Sequence, residues 1–227
     1  MFTRYAVYLT AEGAFADAGA SWLGWDMRTG QEVDHPVIPG LDSAALTERP
    51  RKYGFHGTIK APFALAAGTD DAALRQAFHA ACADLSAVLL EGLSVTALGR
   101  FLALTPVGDQ TALRALASEV VAGLDGFRAP SSDAALTKRR KANLSPAQDA
   151  MLLRWGYPYV MEEFRFHMTL TGPVSRGAVE TVQAQVAAHF APVLPAPFEV
   201  SSLTLVGEQM DGRFIEIMRV PLGRSAS

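Results

Sequence analysis

An α+β fold built twice is expected for this chain: two lobes about a pseudo-twofold axis, with antiparallel sheets lining a central groove and helices outside. Two observations lead there. A ten-residue stretch occurs as Tyr53-Gly54-Phe55-His56-Gly57-Thr58-Ile59-Lys60-Ala61-Pro62 and again as Phe164-Arg165-Phe166-His167-Met168-Thr169-Leu170-Thr171-Gly172-Pro173. After each copy the pattern order is the same: motif strand, helix, strand, strand. From His56 to Thr96 in the next strand is 40 residues, and from His167 to Thr204 it is 37. The 227 residues are read as one domain, 1–227, with lobes centred on 53–62 and 164–173 and an unrepeated, insertion-like segment at 131–160.

The elements follow from periodicity. Residues 4–10 alternate as a strand, with Tyr5, Val7 and Leu9 on one face and Arg4, Ala6, Tyr8 and Thr10 on the other. Residues 12–25, rich in Ala with Phe15, Trp22 and Trp25, predict a helix. Residues 27–52 hold Gly30, Pro36, Pro39, Gly40 and Pro50 and predict a long loop with a short helix at 42–47. Loops longer than about 12–15 residues in a compact domain are often functional. The first motif strand spans 53–60 and ends at Pro62. Thr69-Asp70-Asp71 opens a helix to about Leu90, with Leu74, Phe78, Cys82 and Leu85 at three- and four-residue spacing. Strands at 93–99 and 100–106, a turn at 106–109 and a helix at 110–124 come next. In the unrepeated segment Lys138-Arg139-Arg140-Lys141 forms a basic run, and Ser145-Pro146 caps and starts a helix to Trp155. The second motif strand is 164–171. A helix at 177–190 and strands at 197–206 and 213–220, joined by a hairpin at 210–212, complete the chain.

Composition narrows the function classes. The chain is 49% hydrophobic and 19% charged, with net charge -3 and pI near 5.9. A surface dedicated to coating nucleic acid would be basic, so nucleic acid is the less favoured partner. The single Cys82 sits in an apolar helical pattern and reads as a small buried hydrophobe. The first nine residues lack the pattern of a signal peptide, and no apolar run approaches the ~20 residues that span a bilayer. A cytoplasmic monomer with no membrane attachment is expected.

The chemistry lies on the motif strands. Side chains two apart on a strand share a face, so His167, Thr169 and Thr171 point one way and Phe166, Met168 and Leu170 the other. The copies share Phe before His, Thr two after it, an aliphatic residue three after and Pro six after, and the chain has only five His. Histidine, with an unperturbed pKa of about 6.5, serves as acid or base near neutrality. Two imidazoles on opposite sides of one phosphate suit an in-line displacement. Threonine hydroxyls can donate to the non-bridging oxygens, where charge accumulates, without repelling the phosphate.

These paired His-x-Thr-apolar motifs, one in each half of a duplicated α+β chain, resemble the 2H (two-histidine) phosphoesterase superfamily. Residues 52–63 and 154–160, running into 164–173, are similar to the branch associated with bacterial phosphonate-utilisation operons. The resemblance covers nearly the whole chain. It implies His56 and His167 as the catalytic pair, Thr58 and Thr169 as the phosphate-binding hydroxyls, and a 2H phosphoesterase-like fold. The implied substrate is a small cyclic or linear phosphoester, with a ribose cyclic phosphate the natural candidate. An RNA 2′,3′-cyclic phosphodiesterase, or a phosphate-binding module without turnover, are the alternatives.

Lys60 and Thr171 share the polar faces of the two motif strands and are candidate phosphate ligands, Lys60 with a strand-end surface role as its alternative. Tyr5 and Tyr8 could face the groove, with core packing expected for at least one of them. Tyr53, Tyr157 and Tyr159 flank the motifs as candidate pocket residues. The basic run at 138–141, like Arg51 and Lys52, is either a solvated end or a phosphate-attracting rim. His35, His79 and His189 lack the motif and read as structural or surface residues. No carboxylate sits at ligand spacing beside either motif, and no Gly-rich phosphate loop is present. No metal and no nucleotide cofactor are expected.

Overall fold

The computed structural model describes residues 2–223. Strand β1 (Tyr5–Thr10) leads into helix α1 (Gly13–Leu23), a small hairpin of β2 (Trp25–Asp26) and β3 (Gln31–Glu32), and α2 (Ser43–Arg51). The first repeat unit is β4 (His56–Phe63), α3 (Asp71–Asp84), β5 (Val88–Leu90), β6 (Gly92–Leu98) and β7 (Phe101–Val107). After α4 (Thr111–Gly123), α5 (Asp133–Arg140) and α6 (Pro146–Trp155), the second unit repeats that order. It consists of β8 (Met168–Thr169), α7 (Val179–Phe190), β9 (Phe198–Val200), β10 (Ser202–Glu208) and β11 (Phe214–Pro221).

The halves exchange their motif strands. The order across the sheet is β11-β10-β1-β4-β8-β7-β6, all antiparallel. So β8 joins the β6–β7 hairpin of the first unit, and β4, through β1, joins the β10–β11 hairpin of the second. The lobes meet where β4 runs beside β8, at the pair Gly57↔Met168. The short strands β5 and β9 also pair with each other, tying the units together a second time. Each motif strand therefore lies at the seam, and the two His-x-Thr faces lie side by side.

One face of the sheet carries the main core. Val7, Leu9, Ile59, Leu102, Leu104, Met168, Leu203 and Leu205 pack there against Leu74 and Phe78 of α3, Leu113, Leu116 and Val120 of α4, Val186 and Phe190 of α7, and Phe15 and Trp22 of α1. Each fully buried Leu or Phe of this set is worth about 1.5–3 kcal/mol. Cys82 lies in the same layer, and burial pushes its thiol up to about 12, so it stays protonated and inert. A smaller cluster on the other face, Ala6, Tyr8, Trp25, Met27, Val206 and Phe214, covers the end of the sheet next to β4.

Several elements differ from the expectations. The first helix stops at Leu23, Trp25 opens a hairpin whose second strand lies in the long loop, and the loop's helix extends to Arg51. These strands are two residues each, too short for alternation to register. The basic run ends α5, a helix unexpected because it buries no residue and so shows no apolar stripe. Helix α3 stops at Asp84, leaving room for β5. Pro62 does not end β4; it sits where the β1–β4 register shifts between Tyr5↔Phe63 and Val7↔Lys60, and a bulge tolerates its missing N–H. The second motif strand forms a ladder only at 168–169, and the rest of the stretch is held by other bonds described below.

Candidate active site

Register builds the site. Gly57 lies opposite Met168, so His56 falls beside Thr169 and Thr58 beside His167, all on the face away from the main core. Each histidine thus meets the threonine of the other motif. The two histidines are diagonal neighbours on adjacent strands, near enough for their side chains to approach each other across the seam.

Both imidazoles are held in the same way. His56 Nδ1 donates to the Gly54 carbonyl at 2.9 Å, and His167 Nδ1 donates to the Arg165 carbonyl at 3.0 Å, each the residue two before the histidine. This fixes the tautomer and leaves Nε2 as the working atom on each ring. His56 Nε2 accepts from the Thr58 hydroxyl at 3.1 Å. Gly54 has φ +73°, in the left-handed region where a side chain is strained, and Met27 packs where a Cβ would stand.

The His56 ring stacks on buried Tyr8, with ring centroids 3.6 Å apart at 20°, and Tyr53 stands 6.4 Å away. Burial among these rings pushes His56 down to about 4. The Gly54 carbonyl opposes that shift and repulsion from His167 adds to it. His56 is therefore neutral at pH 7, with a lone pair on Nε2. Its folded pKa lies below the unfolded value of about 6.5, so stability is fully present above pH 6.5 and falls as the pH drops toward 4.

The second motif is anchored from three sides. Trp22 Nε1 donates to the Leu170 carbonyl at 2.7 Å, Leu170 N donates to the Leu102 carbonyl at 2.9 Å, and Gly172 N donates to the Leu46 carbonyl at 2.7 Å. These bonds replace the missing ladder and hold His167 and Thr169 at the seam.

Two cavities open on the seam. One, about 340 Å³, is lined by His56, Thr169, Tyr53, Arg49 and Phe101 among others. The other, about 430 Å³, is lined by His167, Thr58, Tyr157, Tyr159, Arg165 and Phe101 among others. A larger depression of about 510 Å³, between α2 and the start of α7, contains neither histidine. The two seam cavities each hold one histidine and the opposite motif's threonine.

Two sequence-based candidates, Lys60 and Tyr5, fall elsewhere, and a third, Thr171, is tied into the strand end. Lys60 is 3% exposed and donates from Nζ to the Val121 carbonyl at 2.9 Å, with Asp125 at 3.6 Å. The cause is the β1–β4 bulge: Tyr8 pairs with Thr58 but Val7 pairs with Lys60, so the extra residue turns Lys60 to the helix side. It is neither a phosphate ligand nor a surface lysine. Burial lowers it to about 8 despite Asp125, and it ties β4 to the end of α4. Thr171 lines the His56-side cavity and is buried; its hydroxyl oxygen accepts from Leu102 N at 2.9 Å, which secures the strand end and leaves the hydroxyl hydrogen to donate. Tyr5 lies in the main core, on the opposite face of β1 from Tyr8.

Tyr8 supports His56, Tyr53 lines its cavity, and Tyr157 and Tyr159 line the other, forming an edge-to-face pair at 5.7 Å. Sequence reasoning missed Phe101, whose ring stands 5.9 Å from His167 and borders both cavities. It also passed over Arg165, although that residue shares the parity of His167. Phe101 carries no local signal, since the pairing of β7 with β8 alone brings it there. His35 bonds the Trp22 carbonyl at 3.0 Å and His189 packs 5.5 Å from the Trp22 ring, both in structural settings. No helix among the described residues is long and apolar enough to cross a membrane.

Comparison with known proteins agrees with this architecture. E. coli LigT complexed with 3′-AMP aligns over 99% of this chain and 100% of that one, with a TM-score of 0.50 and 14% sequence identity, which shows the fold in common. The "Ribose 1,5-bisphosphate phosphokinase PhnN" of Janthinobacterium sp. (strain Marseille) is 39% identical over 229 residues, 96% of this chain and 51% of that protein. Its namesake from Laribacter hongkongensis (strain HLHK9) is 34% identical over 222 residues, with the same shares. The chain thus spans about half the length of the curated relatives it matches. The family described as "Protein of unknown function (DUF1045)" matches residues 58–215, and the chain, with its 2H phosphoesterase-like fold, belongs to that family.

Proposed function

We propose that the chain is a metal-independent phosphodiesterase that opens a small cyclic phosphodiester, with a ribose cyclic phosphate as the substrate class. One observation supports this reading: the Gly57↔Met168 register sets His56 beside Thr169 and His167 beside Thr58 on one face of the seam. The polar side chains that share the seam are the two imidazoles and the threonine hydroxyls. The name shared by the two relatives concerns a ribose bisphosphate, which supports a ribose phosphate for this chain too.

The steps follow from the proton inventory. Neutral His56 takes a proton from water on Nε2 as the water oxygen bonds phosphorus. The opposite P–O bond breaks, and His167, protonated at Nε2, gives its proton to the departing sugar oxygen. The product is a phosphomonoester and a free hydroxyl. Thr58 and Thr169 turn their hydroxyls to the non-bridging oxygens, Thr58 giving up its bond to His56. The sugar carries the leaving oxygen, so it occupies the His167-side cavity and water enters from the His56 side.

Two expectations follow. The acid limb of kcat/KM should lie near pH 4 rather than 6.5, because it reports the base in the free enzyme. A pH–rate series settles this, and an acid limb at 6.5 would remove His56 from the role of base. Thr58→Val and Thr169→Val should each lower kcat by about 10²-fold, the size of losing one donor to a developing anion, with KM changed less. Steady-state kinetics separates the two constants.

The decisive assay is a panel of ribose 1,2-cyclic phosphates and 2′,3′-cyclic nucleotides in EDTA. Hydrolysis of the ribose diester to a monoester supports the reading. Tight binding with no hydrolysis over long incubation would instead assign a binding module.

A further inference from the structure

The basic run at 138–141 is not consumed by the mechanism above, and the fold treats its members differently. Arg140 is tied to Asp149 by two bonds, at 2.7 and 2.9 Å. Lys138 and Lys141 are exposed. Arg139 alone is half-buried, and its guanidinium lies over the Tyr157 ring at 4.7 Å. Tyr157 is a wall of the His167-side cavity, which Arg165 also lines. Neither Arg139 nor Arg165 has a carboxylate within 4.0 Å among the described residues. One uncompensated guanidinium, that of Arg165, thus lines a 430 Å³ cavity, and a second, that of Arg139, stacks on the Tyr157 ring that walls it.

An arginine stacked on an aromatic ring keeps its fork of donors pre-oriented. That arrangement suits the planar, bidentate recognition of a phosphate monoester. We infer that the His167-side cavity is a second anion subsite, in which Arg139 and Arg165 bind a phosphate monoester on the sugar whose cyclic diester is opened at the histidines. This rests on the phosphodiesterase reading and narrows its substrate to a doubly phosphorylated sugar. Opening such a molecule leaves a sugar bisphosphate, so the reaction that consumes the product is one acting on a sugar bisphosphate.

The test compares ribose 1,2-cyclic phosphate with and without a 5-phosphate as substrates for the wild type, Arg139→Ala, Arg139→Lys and Arg165→Ala. The wild type should prefer the 5-phosphorylated diester at least tenfold in kcat/KM. Arg139→Ala should cut that preference about tenfold, mainly through KM. Arg139→Lys should recover only part of it, because an ammonium keeps the charge and loses the fork. Equal losses on both substrates, or no preference in the wild type, overturn the subsite while leaving the phosphodiesterase intact. Preference for an oligoribonucleotide ending in a 2′,3′-cyclic phosphate over both ribose diesters overturns it in favour of an RNA end. If neither diester is turned over, the phosphodiesterase reading fails. Calorimetric titration with ribose 1,5-bisphosphate still decides the subsite in that case: weaker binding to Arg139→Ala than to wild type supports it, and equal binding contradicts it.

Discussion

Replacing either His56 or His167 with alanine is expected to lower turnover of the cyclic diester by about 10²–10⁴-fold, the usual worth of a positioned acid or base. The two losses should not add. Groups that act in one displacement fail as a unit, so the double variant should be little worse than the poorer single one. The single variants should also differ in pH dependence. His56→Ala removes the base and with it the acid limb near pH 4, whereas His167→Ala leaves that limb in place. Folding should survive both changes, because His167 is only partly buried and His56 lies at the groove, outside the main core. Melting curves alongside the kinetics separate loss of chemistry from loss of fold. Full activity in either variant would remove the two-sided mechanism.

The second large effect is expected from one methyl group with no chemistry of its own. Gly57 sits between His56 and Thr58, and a Cβ there would stand 2.2 Å from the Phe166 ring. Phe166 is buried at 3% exposure and immediately precedes His167. The ring cannot turn out to solvent without leaving the core, so Gly57→Ala forces β4 and β8 apart or displaces Phe166. Overpacking of this kind costs about 1–3 kcal/mol of stability. The greater consequence is for catalysis, because the Gly57↔Met168 pair sets the register between the two histidines. We expect more than tenfold loss of kcat, with partial recovery when Phe166→Leu is added to make room. Unchanged kinetics in Gly57→Ala would show that the seam tolerates movement and that the spacing of the histidines is not set there.

This glycine shows what the sequence made legible. The two motifs align at Phe, His, Thr, the aliphatic residue and Pro, and they differ between His and Thr, where one has Gly57 and the other Met168. The shared positions were readable because strand alternation is local: it puts His and Thr on one face whatever the strand pairs with. The duplicated order was readable for the same reason, each helix and strand carrying its own periodicity. The difference at Gly57 has meaning only once β4 lies on β8, since it makes space for Phe166.

The misses share that origin. Lys60 keeps the parity of His56 and Thr58 in sequence, but a bulge against β1 reverses its direction, and bulges depend on the partner strand. Thr171 continues the parity of Thr169 past the point where the ladder ends, and its hydroxyl oxygen accepts from Leu102 of β7. Tyr5 and Tyr8 have opposite parity and are both buried, Tyr5 in the main core and Tyr8 in the smaller cluster beneath His56, which only the placement of β4 decides. Phe101 and Arg139 come from segments far from either motif and are brought to His167 and to Tyr157 only by the fold.

The central claim is that His56 and His167 address one phosphate from two sides. Nitrogen NMR of the two imidazoles during titration with inorganic phosphate, in buffer containing EDTA, tests it most directly. The account predicts that the Nε2 signals of both residues shift along a single saturable curve with one phosphate bound per chain, and that His167→Ala weakens the response at His56. Movement of only one imidazole, or two curves with separate midpoints, would contradict it.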